Sequence, residues 1–232
     1  MKKTLLALFL IGSVAVNAQE TTPKMVIENY IKAIGGQDAI NSIKDFSMEL
    51  TAEMQGQSMS MVVKKKMPNK FLTVVTVDGM GEVNNTVFDG EKGKVSGMGQ
   101  EQMVEGEDAK KLAAQGNIIG EIQYLDDLGK LSYLGKENID GVECHALKIL
   151  NAAGEAKEYY EVESGLKKRQ INDIESPMGK MTVTIDYADY KAVGGIKFPH
   201  VLKQDMGMMA FDFKTKEILV NSNLDDSLFE VK

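Results

Sequence analysis

The chain has 232 residues, with 34 acids against 27 bases, one cysteine and no tryptophan. That length suits one sizeable core; an acidic balance with no basic stripe argues against nucleic acid and anionic membrane surfaces as partners; and a lone cysteine excludes an intrachain disulfide. Burial must hold the fold, and its filling falls to Val, Ile, Leu and 15 Met, with 8 Phe and 7 Tyr.

Residues 1–18 read as a secretory signal peptide. Lys2 and Lys3 are the basic start, residues 5–16 the apolar run, and Val16-Asn17-Ala18 the small-residue cleavage site, leaving Gln19 first. The run is shorter than the ~20 residues a spanning helix needs. The expectation is a periplasmic, monomeric chain folded as one domain over 19–232.

Thr22-Pro23 opens the first helix: a hydroxyl cap, then proline where its missing N–H costs nothing. Ile27, Tyr30, Ile31 and Ile34 recur at helical spacing, and Gly35-Gly36 ends the helix. Residues 37–43 suit a second short helix. From 46 to 88 the pattern changes to period two. Phe46, Met48, Leu50, Ala52 and Met54 alternate with Ser47, Glu49, Thr51 and Glu53, as in a strand with one apolar face. Met59, Met61 and Val63 resume the apolar side; Pro68-Asn69 and Asp78-Gly79 mark turns on either side of residues 71–77.

Strands at 92–96 and 101–104 flank Gly97-Met98-Gly99, which reads as a hairpin. Residues 107–114 then lack β-branched side chains and run from acid to base, as a helix prefers. Residues 117–125 suit another short helix. This is the one helical interruption of the β region, hence a candidate lid. Seven further strands follow between 131 and 220, separated by turn signals such as Asp140-Gly141, Ser164-Gly165 and Gly194-Gly195. The fold class expected is mainly β: an antiparallel half-open barrel with an N-terminal helix and a helical lid insert.

Candidate chemistry is thin. His145 and His200 are the two histidines, and Cys144 neighbours His145 on a strand, so their side chains point to opposite faces. Cys144 reads as small and buried, His145 as exposed and polar. Asp126-Asp127 and Asp225-Asp226 sit where acids cap and solvate. No nucleophile, base and orienter come together, so no enzyme, metal or cofactor is implied. Met59, Met61, Met206, Met208 and Met209 leave three readings open: core packing, an adaptable ligand cavity, or a copper(I) site.

Several phrases carry a family resemblance. They include Tyr30-Ile31-Lys32-Ala33-Ile34-Gly35-Gly36, Pro68-Asn69-Lys70-Phe71, Val87-Phe88-Asp89-Gly90, Glu158-Tyr159-Tyr160-Glu161, Gly195-Ile196-Lys197-Phe198-Pro199 and Asn223-Leu224-Asp225-Asp226-Ser227-Leu228-Phe229. In this order they resemble small exported proteins of the outer-membrane lipoprotein-sorting group, the LolA/LolB-like superfamily. The resemblance implies a half-closed barrel whose helices pack into the mouth of an apolar cavity for acyl chains. It also implies an arginine holding the lid; Arg169 is the single arginine here. The expected function is non-catalytic carriage of a lipid or acylated lipoprotein. The cavity is expected to be lined by Met48, Leu50, Met59, Met61, Phe71, Val75, Phe211 and Phe213, with Leu112 and Ile118 in the lid. The alternative is an envelope interaction or stress-sensing module whose barrel is filled by its own side chains.

Overall fold

The computed structural model describes residues 20–54, 56–97, 99–151, 154–176, 179–207 and 209–232. The expected signal peptide lies outside them. Thr22 caps the first helix, α1 (Pro23–Ile34), its hydroxyl accepting from the Met25 N–H, and Gly35 ends it. Gly35 has no substitute: a Cβ there would lie 2.5 Å from the Gly195 carbonyl oxygen, and its φ is +143°. A second helix, α2 (Gln37–Asn41), follows.

Among the described residues thirteen strands form one sheet. The first six are β1 (Asp45–Met54), β2 (Gln57–Lys66), β3 (Lys70–Val77), β4 (Gly81–Phe88), β5 (Gly93–Gly97) and β6 (Gln100–Val104). The insert then supplies α3 (Gly106–Ala113) and three short 3-10 turns at Ala114–Gly116, Gly120–Leu125 and Leu128–Lys130. The remaining strands are β7 (Leu131–Ile139), β8 (Val142–Asn151), β9 (Gly154–Glu161), β10 (Lys167–Ser176), β11 (Gly179–Val193), β12 (Ile196–Asp205) and β13 (Ala210–Val220).

The spatial order is β6-β5-β4-β3-β2-β1-β13-β12-β11-β10-β9-β8-β7. The sheet is therefore two meanders joined along one seam, where β1 pairs with β13 from Phe46 opposite Val220 to Thr51 opposite Lys214. It is not closed, because β6 and β7 are its two edges. A bulge at Leu134, between Tyr133 and Gly135, interrupts the β7 ladder and blunts that edge. Asp45 fastens the seam, its buried carboxylate accepting from the Ser222 N–H at 2.7 Å, the Ser222 hydroxyl at 2.9 Å and the Asn223 N–H at 3.0 Å.

Helix α1 buries its apolar stripe against one region of this sheet. Ile27 and Ile34 are fully enclosed, in a core with Phe46, Leu147, Ile149, Tyr160, Ile196 and Phe198. Tyr30 meets the Tyr160 ring edge-on at 5.2 Å. Of the short helix expected over 117–125, the structure has Gly120–Leu125, and it is a 3-10 helix. In that geometry residues i and i+3 eclipse, which sets Glu121 and Tyr124 on one face toward the sheet.

Candidate functional site

Direct cross-strand partners share a face of the sheet, so register identifies what points into the curve. Met48 opposes Val63, Leu50 opposes Met61 and Ala52 opposes Met59; Met61 in turn opposes Val75, and Met59 opposes Val77. Leu50, Ala52, Met59, Val77, Phe211 and Phe213 form one buried cluster, with Met48, Met61, Val75 and Met206 packed on it. The Phe211 and Phe213 rings lie 5.8 Å apart. Seven of the expected lining residues are thus brought together. They pack on one another, Leu50 and Phe213 being each 4% exposed.

Phe71 belongs elsewhere. It stacks on Phe88 at 5.8 Å under α3, in a cluster with Ala109 and Leu112. Leu112 seats there because Gly93 has no side chain: a Cβ on Gly93 would meet Leu112 Cδ2 at 2.5 Å. Ile118 packs against the α1 core instead.

Residues 114–130 form a strap over the concave face. Lys65 continues the inward alternation of Met59, Met61 and Val63, and its Nζ donates to the Asn117 carbonyl at 2.6 Å. On the other arm, Lys167 Nζ lies 2.5 Å from Glu121 and 2.9 Å from Glu158. The Tyr124 hydroxyl donates to Glu158 at 2.9 Å, and the Tyr160 hydroxyl donates to the other oxygen of the same carboxylate. Four strands stand between β2 and β10, so the strap bridges the two arms of the sheet. Gly116 lets it sit close: any Cβ there would collide with the Asn69 backbone.

The electrostatics fit a buried tie. Burial opposes the charge on Glu121, but the Lys167 ammonium, helped by Lys65, holds its carboxyl below the usual range. Burial opposes the charge on Lys167 too, yet Glu121 and Glu158 hold its pKa well above the usual value. Burial pulls Lys65 down to about 8 against a smaller pull from Glu121. Burial, with nearby carboxylates, raises Tyr30, Tyr124 and Tyr160. Deleting one member of such a network strands its partner's charge, which typically costs ~3–5 kcal/mol.

Two clefts border the strap. One, about 530 Å³, lies between the insert and the sheet, lined by Leu112, Gln115, Gln123, Tyr124, Asn151 and Gln170 among others. The other, about 260 Å³, is lined by Ile40, Ile43, Met67, Ile118, Ile119 and Ile122 among others. Of the expected lining residues, Leu112 lines the first and Ile118 the second.

Sequence reasoning missed the polar tie. Its readable signal was Lys65, a charge at an inward position of an otherwise apolar alternation. Arg169, by contrast, pairs with Asp186 and Asp140 and not with the strap. His145 also departs from expectation: it is half-buried, with Nδ1 3.0 Å from the Tyr133 hydroxyl. Cys144 is fully enclosed as expected. Among the described residues no group of three or more His, Cys, Asp or Glu is placed to hold a metal, and no helix is long and apolar enough to cross a membrane.

No family model matches the sequence, and no curated protein matches it. Solved structures do. A LolA superfamily protein from Nitrosomonas europaea superposes with a TM-score of 0.58 at 12% identity, covering 91% of this chain and 99% of the other. A DUF1329 family protein from Desulfovibrio piger gives 0.54 at 15% identity, covering 90% and 98%. A protein named for an outer membrane lipoprotein-sorting domain, from Vibrio parahaemolyticus, gives 0.51 at 12% identity, covering 88% and 95%. The open thirteen-stranded sheet with its inserted helices is therefore the LolA-like fold.

Proposed function

We propose that the protein is a non-catalytic carrier, exported to the periplasm, that shelters the acyl part of a lipid or acylated protein under its strap. The observation that carries this reading is the cleft of about 530 Å³ between insert and sheet. It falls within the ~300–1,000 Å³ of small-molecule sites. Leu112, Ala114 and the Tyr124 ring offer it apolar surface, while Asp108, Lys111, Gln115, Gln123 and Gln170 supply polar groups. Affinity would come from removing acyl methylenes from water, at ~0.8 kcal/mol each. The names of two similar folds, a LolA superfamily protein and a lipoprotein-sorting domain, agree with this chemistry.

The self-packed cluster around Leu50, Met59 and Phe213 favours the filled-barrel alternative for that part of the interior. On the carrier reading its members become the adaptable floor of a larger cavity once the strap lifts, with Met48, Met61 and Val75 as the pliant side chains.

Native mass spectrometry of the protein purified from bacterial envelope separates the two. The carrier predicts a polypeptide mass beginning at Gln19 plus a discrete adduct that extracts as lipid. Leu112→Asp is expected to abolish the adduct with the fold intact, and Met61→Asp or Phe213→Asp to reduce it. A bare mass, unchanged after incubation with phospholipid and acylated peptide, would overturn the carrier and leave the filled module.

A further inference from the structure

Antiparallel alternation sorts the hairpins by end. Six connections, β1–β2, β3–β4, β5–β6, β8–β9, β10–β11 and β12–β13, lie at one end of the sheet; the other five lie at the opposite end. The two ends differ in composition. Within two residues of the six connections stand Glu53, Asp78, Glu82, Glu101, Glu155, Glu175 and Asp205 against one base, Lys180. The same count at the other end gives eight lysines and six acids. Lys94 and Lys148 reach up to Glu101 and Glu155 at 3.3 and 3.5 Å, and Asp205 accepts from the Gly207 N–H.

Methionine follows the same division. Met54, Met80, Met206 and Met209 stand at the acidic end, and the other end has Met67. Met80 is 64% exposed and Met209 50%. Leu150, within two residues of a connection at this end, and Ile174, three residues from one, are exposed as well. Met206 links this rim to the apolar cluster of Met59 and Phe213 below it.

We infer that this rim is a docking surface for a cationic amphipathic segment of a partner protein. Unbranched thioethers repack around varied apolar shapes, which suits a binder of helices or strands that differ in detail. The surrounding acids select positive charge and speed encounter. Anionic lipid headgroups would be repelled by the same acids, so a membrane is the poorer occupant. The surface meets the cleft under the strap at the β8–β9 connection, where Asn151 lines the cleft, and a carrier with this rim would receive or surrender cargo through a basic partner.

The test uses the whole mature-length chain and two helical peptides, one of Leu and Lys, one of Leu and Glu. The Leu/Lys peptide is expected to bind at least about tenfold more tightly, and less tightly as salt rises. In spectra of the methionine methyl groups it should shift Met80, Met206 and Met209 but leave Met67 unmoved. Met80→Ser with Met209→Ser is expected to weaken binding about fivefold or more, as is Asp78→Lys with Glu53→Lys, while Met67→Ser is neutral. Equal affinity for both peptides, or shifts centred on Met67, would overturn the docking surface. Binding of anionic vesicles through the same methionines, or self-association of the chain through them, would overturn the assignment of a protein partner. Retention of acyl cargo by these variants keeps the carrier reading independent of the outcome.

Discussion

At the scale of single residues, Lys65 is the most informative. Its position was legible, since it extends the parity of Met59, Met61 and Val63, but its partner was not: Asn117 lies 52 residues away and contributes a backbone carbonyl. A similar separation hid Glu121 from Lys167, whose side chain reads in sequence as one lysine among neighbours. The inward apolar positions Phe46, Leu50 and Met59 were legible because alternation alone assigns them a face. A pH dependence follows from Lys65. With its folded pKa near 8 and an exposed lysine near ~10.4, the unfolded chain holds a proton across that window that the folded chain has released. Stability contributed by this residue therefore rises as pH increases from about 8 to about 10. Urea unfolding of wild type against Lys65→Met at a series of pH values measures it: the variant's relative advantage is expected to shrink over that window. A difference that is flat or grows would contradict the burial of this ammonium.

At the scale of elements, helix α1 was readable end to end because its cap, its proline and its terminal glycine are local signals. The strap was half readable. A helical interruption shows in composition, but a 3-10 turn in place of an α-turn reflects where Glu121 and Tyr124 must point, a tertiary demand. Close backbone approach was not readable at all, and here Gly116 decides. Gly116→Ala forces a Cβ into the Asn69 backbone, so the strap must shift, with an expected loss of ~1–3 kcal/mol. Hydrogen exchange at residues 117–125 should accelerate in this variant while the α1 core stays protected. Gly93→Ala, which meets the movable end of Leu112, is expected to cost less. Unchanged exchange in Gly116→Ala would show that the strap does not depend on that contact.

At the scale of the molecule, the mostly antiparallel open sheet was expected from regular strand spacing and from the family resemblance, and the structure has it. The pairing of β1 with β13 was beyond the sequence: no local pattern says that residue 46 meets residue 220. Asp45 marks that seam, and Asp45→Ala leaves the Ser222 and Asn223 donors without their carboxylate. The expected loss is ~1–3 kcal/mol, read from the urea midpoint. If the seam closes late, the kinetics divide unevenly: Asp45→Ala should speed unfolding and leave refolding nearly unchanged. A slowed refolding limb with unaltered unfolding would place the seam in the folding nucleus instead.

That seam sets a timetable for the chain's manufacture. Each meander pairs neighbours in sequence and can assemble as it emerges, whereas β1 waits for the last strand to be made. Until that strand is made the first strand keeps one flank unoccupied, a row of amides open to any passing strand. A newly made copy should therefore depend on holdase protection until its final residues arrive, and become independent of it as soon as they do.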